Sequence, residues 1–190
     1  MQCILREKLL AQATKLAIVS KVYHSDSTRF VSEYFGWLIE AEKDLATLRS
    51  PVGILLQAEK TSLTSVLDGN LPDHLHSAKS TRKNQRAVAA QSLERISREF
   101  YSKIEKIDQS LEQMSDKLCP AVAVLASKEP GVFEGIEPNQ QGIVTIWRML
   151  GSTPETAPMY HYLCARLAPT DRDYLLTDII QNIVSNRADS

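Results

Sequence analysis

Histidines, cysteines and paired acids are the residues of this 190-residue chain that could ligate a metal or move a proton, and they are sparse. The densest set is Asp73-His74-Leu75-His76, where two imidazoles one residue apart could converge on a metal if the backbone were extended. No further His or Cys lies close in sequence, so two exposed loop histidines beside an acid is the better reading. His24 and His161 are singletons; His161, inside Met159-Tyr160-His161-Tyr162, reads as the partly buried polar tip of an aromatic-rich helix. Cys3, Cys119 and Cys164 form neither a disulfide framework nor a C-x-x-C site, and Cys119 and Cys164, each beside apolar residues, read as small buried hydrophobes. Glu33 and Glu40 are seven apart, but no E-x-x-H accompanies them, so a carboxylate-bridged metal pair gives way to a solvated acidic face with Glu42 and Asp44. Glycine-rich phosphate loops and the G-x-S-x-G nucleophile motif are both absent from the sequence. No metal, cofactor or catalytic residue is expected.

One local cluster stands out. Lys79, Arg82, Lys83 and Arg86 fall at i, i+3, i+4 and i+7, so on a helix they share a face, and the nearest acid downstream is Glu94. Four unquenched cations at one place would suit phosphate groups or an acidic protein surface. The plainer alternative is a solvated helix start. No aromatic residue interleaves with the cluster, which weighs against single-stranded nucleic acid.

The elements that would position these residues read as helices throughout. Apolar residues recur at steps of three and four and glycines number only seven. Periodicity predicts a first helix over 4–23 and a second over 31–48 capped by Asp26 or Ser27. A third runs over 52–67, entered through Ser50-Pro51 and closed by Asp68-Gly69-Asn70. The most regular stretch follows: Leu93, Ile96, Phe100, Ile104, Ile107, Leu111, Met114 and Leu118 define one long helix from about residue 80 to Cys119-Pro120, with a stuttered heptad seam. About 40 residues at roughly 1.5 Å each would outspan a compact globule of this size, so the helix is expected to protrude, pair with a partner or sit in an elongated bundle. Glu129 to Gln141, with two prolines and two glycines, reads as a linker. Beyond it lie three shorter helices over 141–150, 154–167 capped by Thr153, and 171–186 capped by Thr170 with Asp173 as capping-box acid.

The fold expected is therefore an all-α helical bundle with one long central helix at about 80–118 and a C-terminal group of three shorter helices. Residues 1–128 would form the bundle, and 139–190 either a second unit or a part of the same domain. Composition agrees: 43% hydrophobic and 24% charged residues suit a folded chain with its own core. Net charge is −1, which leaves no global field for nucleic acid or an anionic membrane. The charge is uneven, with ten cations to six anions over 76–128 and four to eight over 129–190, so attraction between these pieces, within or between chains, is expected. The charged N-terminus, the odd cysteine count and the lack of an 18-residue apolar run point to the cytoplasm, with no membrane segment.

Function is less legible. The leading expectation is a non-enzymatic interaction or scaffold protein that binds a protein partner, or a second copy of itself, through the 93–118 apolar seam. A nucleic-acid accessory protein using the basic face at 79–86 is the first alternative. An enzyme whose polar residues converge only in three dimensions is the second, and a concave pocket holding several titratable residues would favour it.

Overall fold

The computed structural model describes residues 1–25, 29–48, 50–70, 81–129, 131 and 139–188, with the side chains of 184–188 left aside. Among them are seven helices and no strand: α1 (Gln2–Ser25), α2 (Phe30–Ala46), α3 (Pro51–Leu67), α4 (Thr81–Lys128), α5 (Gln140–Ser152), α6 (Ala157–Arg166) and α7 (Pro169–Ala188). The all-α class, the long central helix and the three shorter C-terminal helices are as the periodicity predicts. The Asp26 or Ser27 cap and the Asp73–His76 set lie outside the described residues, as does most of the 129–141 linker.

The chain divides into two compact units. One comprises Ile4–Glu105; the other comprises Lys106–Ser190 together with Met1–Cys3. The division falls inside α4, at residues 105 and 106, rather than in the 129–141 segment.

In the Ile4–Glu105 unit, α2 buries Phe30, Tyr34, Trp37, Leu38, Ala41 and Leu45, a stripe at helical spacing, and packs on α3 through Val52, Leu56, Leu63 and Val66. Aromatic rings run in sequence through this core. Tyr23 meets Phe30 edge-on at 4.9 Å; Phe30 and Tyr34, and Tyr34 and Trp37, stack at 5.9 Å; and Trp37 tilts against Phe100 of α4 at 5.9 Å. The polar tips of the two largest find partners: Tyr34 Oη shares a hydrogen bond of 2.7 Å with Ser92 Oγ, and Trp37 Nε1 donates to the Gln12 carbonyl at 3.2 Å. Burial pushes the Tyr34 phenol well above its ordinary pKa, so it remains a neutral hydroxyl. Of the expected solvated acidic face, Glu33 and Glu40 are exposed and pair with Arg29 and Lys15, whereas Glu42 is part-buried against Lys60 and Asp44 accepts from the part-buried Gln12 amide.

The second unit shows where sequence reading misplaced helix ends. Pro120 was expected to stop the long helix, yet α4 runs through it to Lys128. An interior proline costs about 3 kcal/mol because its missing N–H leaves one carbonyl unbonded. Leu118, Val122 and Leu125, each at most 1% exposed, are buried around it, at roughly 1.5–3 kcal/mol apiece. Their burial outweighs the lost bond, and Pro120 itself faces solvent. Thr153 was expected to cap the next-to-last helix; it is instead the C-cap of α5, and Thr156 occupies the N-cap of α6. Pro154 follows Thr153 directly, but α6 starts only at Ala157, because the buried Thr156 hydroxyl donates back to the Leu150 carbonyl at 2.7 Å. Likewise α7 begins at Pro169, two residues early, since proline suits the first helical turn.

The end of α3 offers a clean test of local chemistry. Gly69 adopts φ +93, the Gly69 N–H donates to the Val66 carbonyl and the Asn70 N–H to the Ser65 carbonyl, which is a Schellman close. No atom lies within 4 Å of where a Cβ would stand, so replacement meets only backbone strain. Gly69→Ala is expected to lower unfolding free energy by about 1–2 kcal/mol in urea denaturation, with Gly69→Asn losing less because asparagine tolerates this conformation. An unchanged midpoint would contradict the assignment.

Candidate functional site

Besides a groove between α1 and α4, three places bear on function, and the structure treats them differently. The apolar seam of α4 is the first. Ile96, Phe100, Ile104, Ile107, Leu111 and Leu118 are each 8% exposed or less within the single chain, and only Leu93 and Met114 are half-buried. This corrects the expected partner surface, because side chains already removed from water gain nothing further by meeting a second copy.

The basic cluster is the second. Lys79 lies outside the described residues, while Arg82 and Lys83 are exposed on the first turn of α4. Arg86 departs from this surface. Its Nη2 donates to the Tyr23 carbonyl at 3.1 Å and its guanidinium lies 4.4 Å from the Tyr23 ring centroid, at the end of the aromatic column. Spacing alone could not separate a cation stacked on α1 from one facing water.

Elsewhere in the Ile4–Glu105 unit, α1 and α4 leave a small groove of about 200 Å³. Ala13, Leu16, Ala17 and Ser20 of α1 line one side and Ser97, Phe100 and Tyr101 of α4 the other. Leu16 and Phe100 are buried, and Tyr101 is 62% exposed beside them. Leu10, 38% exposed, continues the α1 wall three residues before Ala13.

The third place lies in the C-terminal unit and was missed from sequence. Asn139 caps α5 by accepting from Gly142 N–H at 3.0 Å, and Ile143, Ile146 and Leu150 turn one face into the core. Val144, Trp147, Arg148 and Gly151 then share a neighbouring face at i, i+3, i+4 and i+7. Gly151 carries no side chain where the Tyr160 ring of α6 approaches; a Cβ there would stand 3.1 Å from the ring. The first turn of α7 is fixed by Asp171, whose buried carboxylate accepts from the Cys3 N–H at 2.9 Å and the Met1 ammonium at 2.5 Å. Thr170 and Asp173, expected as cap and capping-box acid, are not used that way; Asp173 accepts from the Gln140 amide at 3.3 Å.

Fixing Asp171 sets the direction of its neighbour. Arg172 donates from Nη1 to Cys164 Sγ, and its guanidinium lies 5.8 Å from the Trp147 ring centroid. Contact with the Cys164 sulfur holds the Tyr160 phenol above its ordinary pKa. Cys164 is thus half-buried in a polar setting, while Cys119 and His161, both expected to be at least partly buried, are exposed. Helical periodicity places them on solvent-facing turns that the apolar neighbours in sequence do not reveal. Between α5, α6 and α7 these residues border a cleft of about 510 Å³. Trp147 Nε1–H and Arg172 Nε–H, on two of its lining residues, are buried beneath its surface without an acceptor among the described residues. Only the tryptophan and tyrosine types, unremarkable in sequence, would have hinted at it.

The electrostatics of the cleft suit binding better than proton transfer. Its charged groups are two guanidiniums, Arg148 and Arg172, and the carboxylate of Asp173; no imidazole lines it. Among the described residues no cluster of three or more His, Cys, Asp or Glu could hold a metal, and no helix is long and apolar enough to cross a membrane. The uneven charge is partly used inside this unit, where Lys128 pairs with Glu155 and lowers its pKa.

Two substitutions separate structure from surface. Arg86→Gln is expected to cost about 1–2 kcal/mol through the lost carbonyl bond and ring contact, whereas Arg82→Gln and Lys83→Gln together stay within about 0.5 kcal/mol, measured by urea midpoints. Equal effects would place Arg86 back on the solvent face. For Asp171, desolvation raises the carboxyl pKa but the hydrogen bonds from Cys3, the N-terminal ammonium and the Gln2 backbone outweigh it, and the net shift is downward. A lowered folded-state pKa contributes stability that is present above the ordinary carboxyl value and is lost as pH falls through the folded value. Asp171→Asn should therefore cost about 1.5–3 kcal/mol at neutral pH, and the gap to the parent should narrow below about pH 4. A gap that stays constant into acid would refute this role.

No protein-family model, no curated protein and no solved structure matches this chain, so its function rests on its own geometry.

Proposed function

We propose that this chain is a non-enzymatic helical interaction protein that receives an amphipathic helix of a protein partner in the groove between α1 and α4. The observation that carries the reading is Tyr101, 62% exposed beside a groove lined by Ala13, Ala17, Ser20 and Ser97 together with the buried Leu16 and Phe100. An exposed tyrosine over small residues is the composition of an interface anchor: small side chains let a helix backbone approach, and the aromatic ring supplies area at little entropic cost. Leu10 extends the apolar wall, so a helix bearing residues at i, i+3, i+4 and i+7 finds complementary contacts along α1. A second copy of the chain is one such partner, and self-association is the form in which it can be tested on purified protein. A cytoplasmic setting belongs to the same reading, supported by three cysteines none of which is in a disulfide.

The nucleic-acid alternative is supported less. With Arg86 engaged by Tyr23, exposed Arg82 and Lys83 remain of the described cluster, and two phosphate contacts confer little affinity at physiological salt. For the enzymatic alternative, the cleft of the C-terminal unit offers hydrogen-bond donors and a carboxylate but no nucleophile paired with a base.

The test places a photo-crosslinking residue at Ala17 and, as control, at Glu94, which is 73% exposed on α4. A discrete adduct from position 17 that is weakened about tenfold or more by Tyr101→Ala is the expected result. Sedimentation of the purified chain over a concentration range then distinguishes a second copy from another protein. The same diffuse labelling from positions 17 and 94, indifferent to Tyr101→Ala, would sink the reading.

A further inference from the structure

The outward side of α1 carries a pattern that its place in the bundle does not require. Leu9, Gln12, Leu16 and Val19 turn into the Ile4–Glu105 unit and are each 8% exposed or less. Glu7 and Lys21 bound the opposite side, and the exposed positions between them on that side are Leu10, Ala11, Thr14, Ala17 and Ile18. At 3.6 residues per turn these positions share an arc of about 120°. A solvated helix face ordinarily carries charges, yet this one has none over the turns between Glu7 and Lys21. Lys15 is turned aside to pair with Glu40 of α2, and the Thr14 hydroxyl is spent on the Leu10 carbonyl at 2.9 Å. Leu10 is 38% exposed and Ile18 61%.

The order of residues along this face identifies its occupant. Outward from Thr14 in the two directions, Ala11 matches Ala17, Leu10 matches Ile18, and Glu7 is matched by the opposite charge of Lys21. A two-fold axis through Thr14, perpendicular to α1, therefore lays the face on a copy of itself with the helices antiparallel. Leu10 of each copy then packs on Ile18 of the other, the alanines let the backbones approach, and Glu7 of each faces Lys21 of the other. Parallel pairing would set Glu7 against Glu7 and Lys21 against Lys21, so the side-chain charges and the helix dipoles both select the antiparallel arrangement. Neither Glu7 nor Lys21 makes an ion pair among the described residues, which leaves both available across the axis. We infer that a second copy of this chain covers the outer face of α1, in an antiparallel two-fold dimer centred on Thr14. The face borders the α1–α4 groove at Leu10 and Ala17 but includes neither Tyr101 nor any other residue of α4, so the inference does not rest on a helix seated in that groove.

A few turns of helix make a small interface, and sedimentation equilibrium of the full chain should give a dissociation constant of about 10–100 μM. Glu7→Lys or Lys21→Glu alone makes both cross-axis pairs repulsive and should weaken the dimer about tenfold or more. The double variant exchanges the charges and should return to within about threefold of the parent, which also shows that the single changes did not act through misfolding. Tyr101→Ala should leave the dimer intact. Register is read by disulfide trapping in a Cys119→Ser background, which removes the exposed native thiol. Thr14→Cys puts the new thiols on the axis and should link the copies, whereas Lys21→Cys puts them about 21 Å apart and should not. No self-association up to about 1 mM, a double variant as weak as the single ones, or linking of Lys21→Cys as readily as Thr14→Cys would each overturn the proposal. Self-association that is lost in Tyr101→Ala and indifferent to the charge exchanges would overturn it too, and would place the second copy in the α1–α4 groove.

Discussion

The column of rings from Tyr23 through Phe30, Tyr34 and Trp37 to Phe100 is the constraint on which the Ile4–Glu105 unit depends. It draws residues from α1, α2 and α4 into one line of aromatic contacts. Two of its polar tips find partners on other helices, Tyr34 with Ser92 and Trp37 with the Gln12 carbonyl. Such bonds add little net energy, but a buried hydroxyl or indole left without one is costly, so they select the register at which the helices pack. Arg86 ends the column by stacking on Tyr23, and this removes it from the cationic surface that its spacing suggests.

The C-terminal unit is organised by a charge instead. Asp171 is 2% exposed and would be untenable there without its donors. The backbone N–H of Cys3 and the Met1 ammonium supply them, tying the first turn of α7 to residues at the start of the chain. Once that turn is fixed, the next residue, Arg172, can reach both Cys164 and Trp147. A structural ion pair and a residue of the cleft lining are thus consecutive on one helix.

The two candidate surfaces differ in kind. The α1–α4 groove is small, lined by alanine, serine, Leu16, Phe100 and Tyr101, and fits a partner that brings its own side chains. The C-terminal cleft is more than twice as large and is lined by two guanidiniums and one carboxylate. The α4 seam, the most regular feature of the sequence, is neither, because the chain covers most of it with its own residues.

The sequence by itself determined the class, the number of helices and most of their extents, because the three-four spacing of apolar residues and the Ser50-Pro51 and Asp68-Gly69-Asn70 boundaries act within a few residues. It did not determine where helices end when local and tertiary terms oppose each other. Pro120 locally breaks a helix, and only the burial of Leu118, Val122 and Leu125 overrides it. Nor could it reveal the cleft, because nothing in the spacing of Val144 and Trp147 on α5 says that Tyr160 of α6 and Arg172 of α7 come beside them. The same holds for the fates of Arg86, Cys119 and Cys164. Whether a cation stacks on a ring or a thiol meets a guanidinium depends on which helix packs opposite, and that is decided by contacts between residues far apart in the chain.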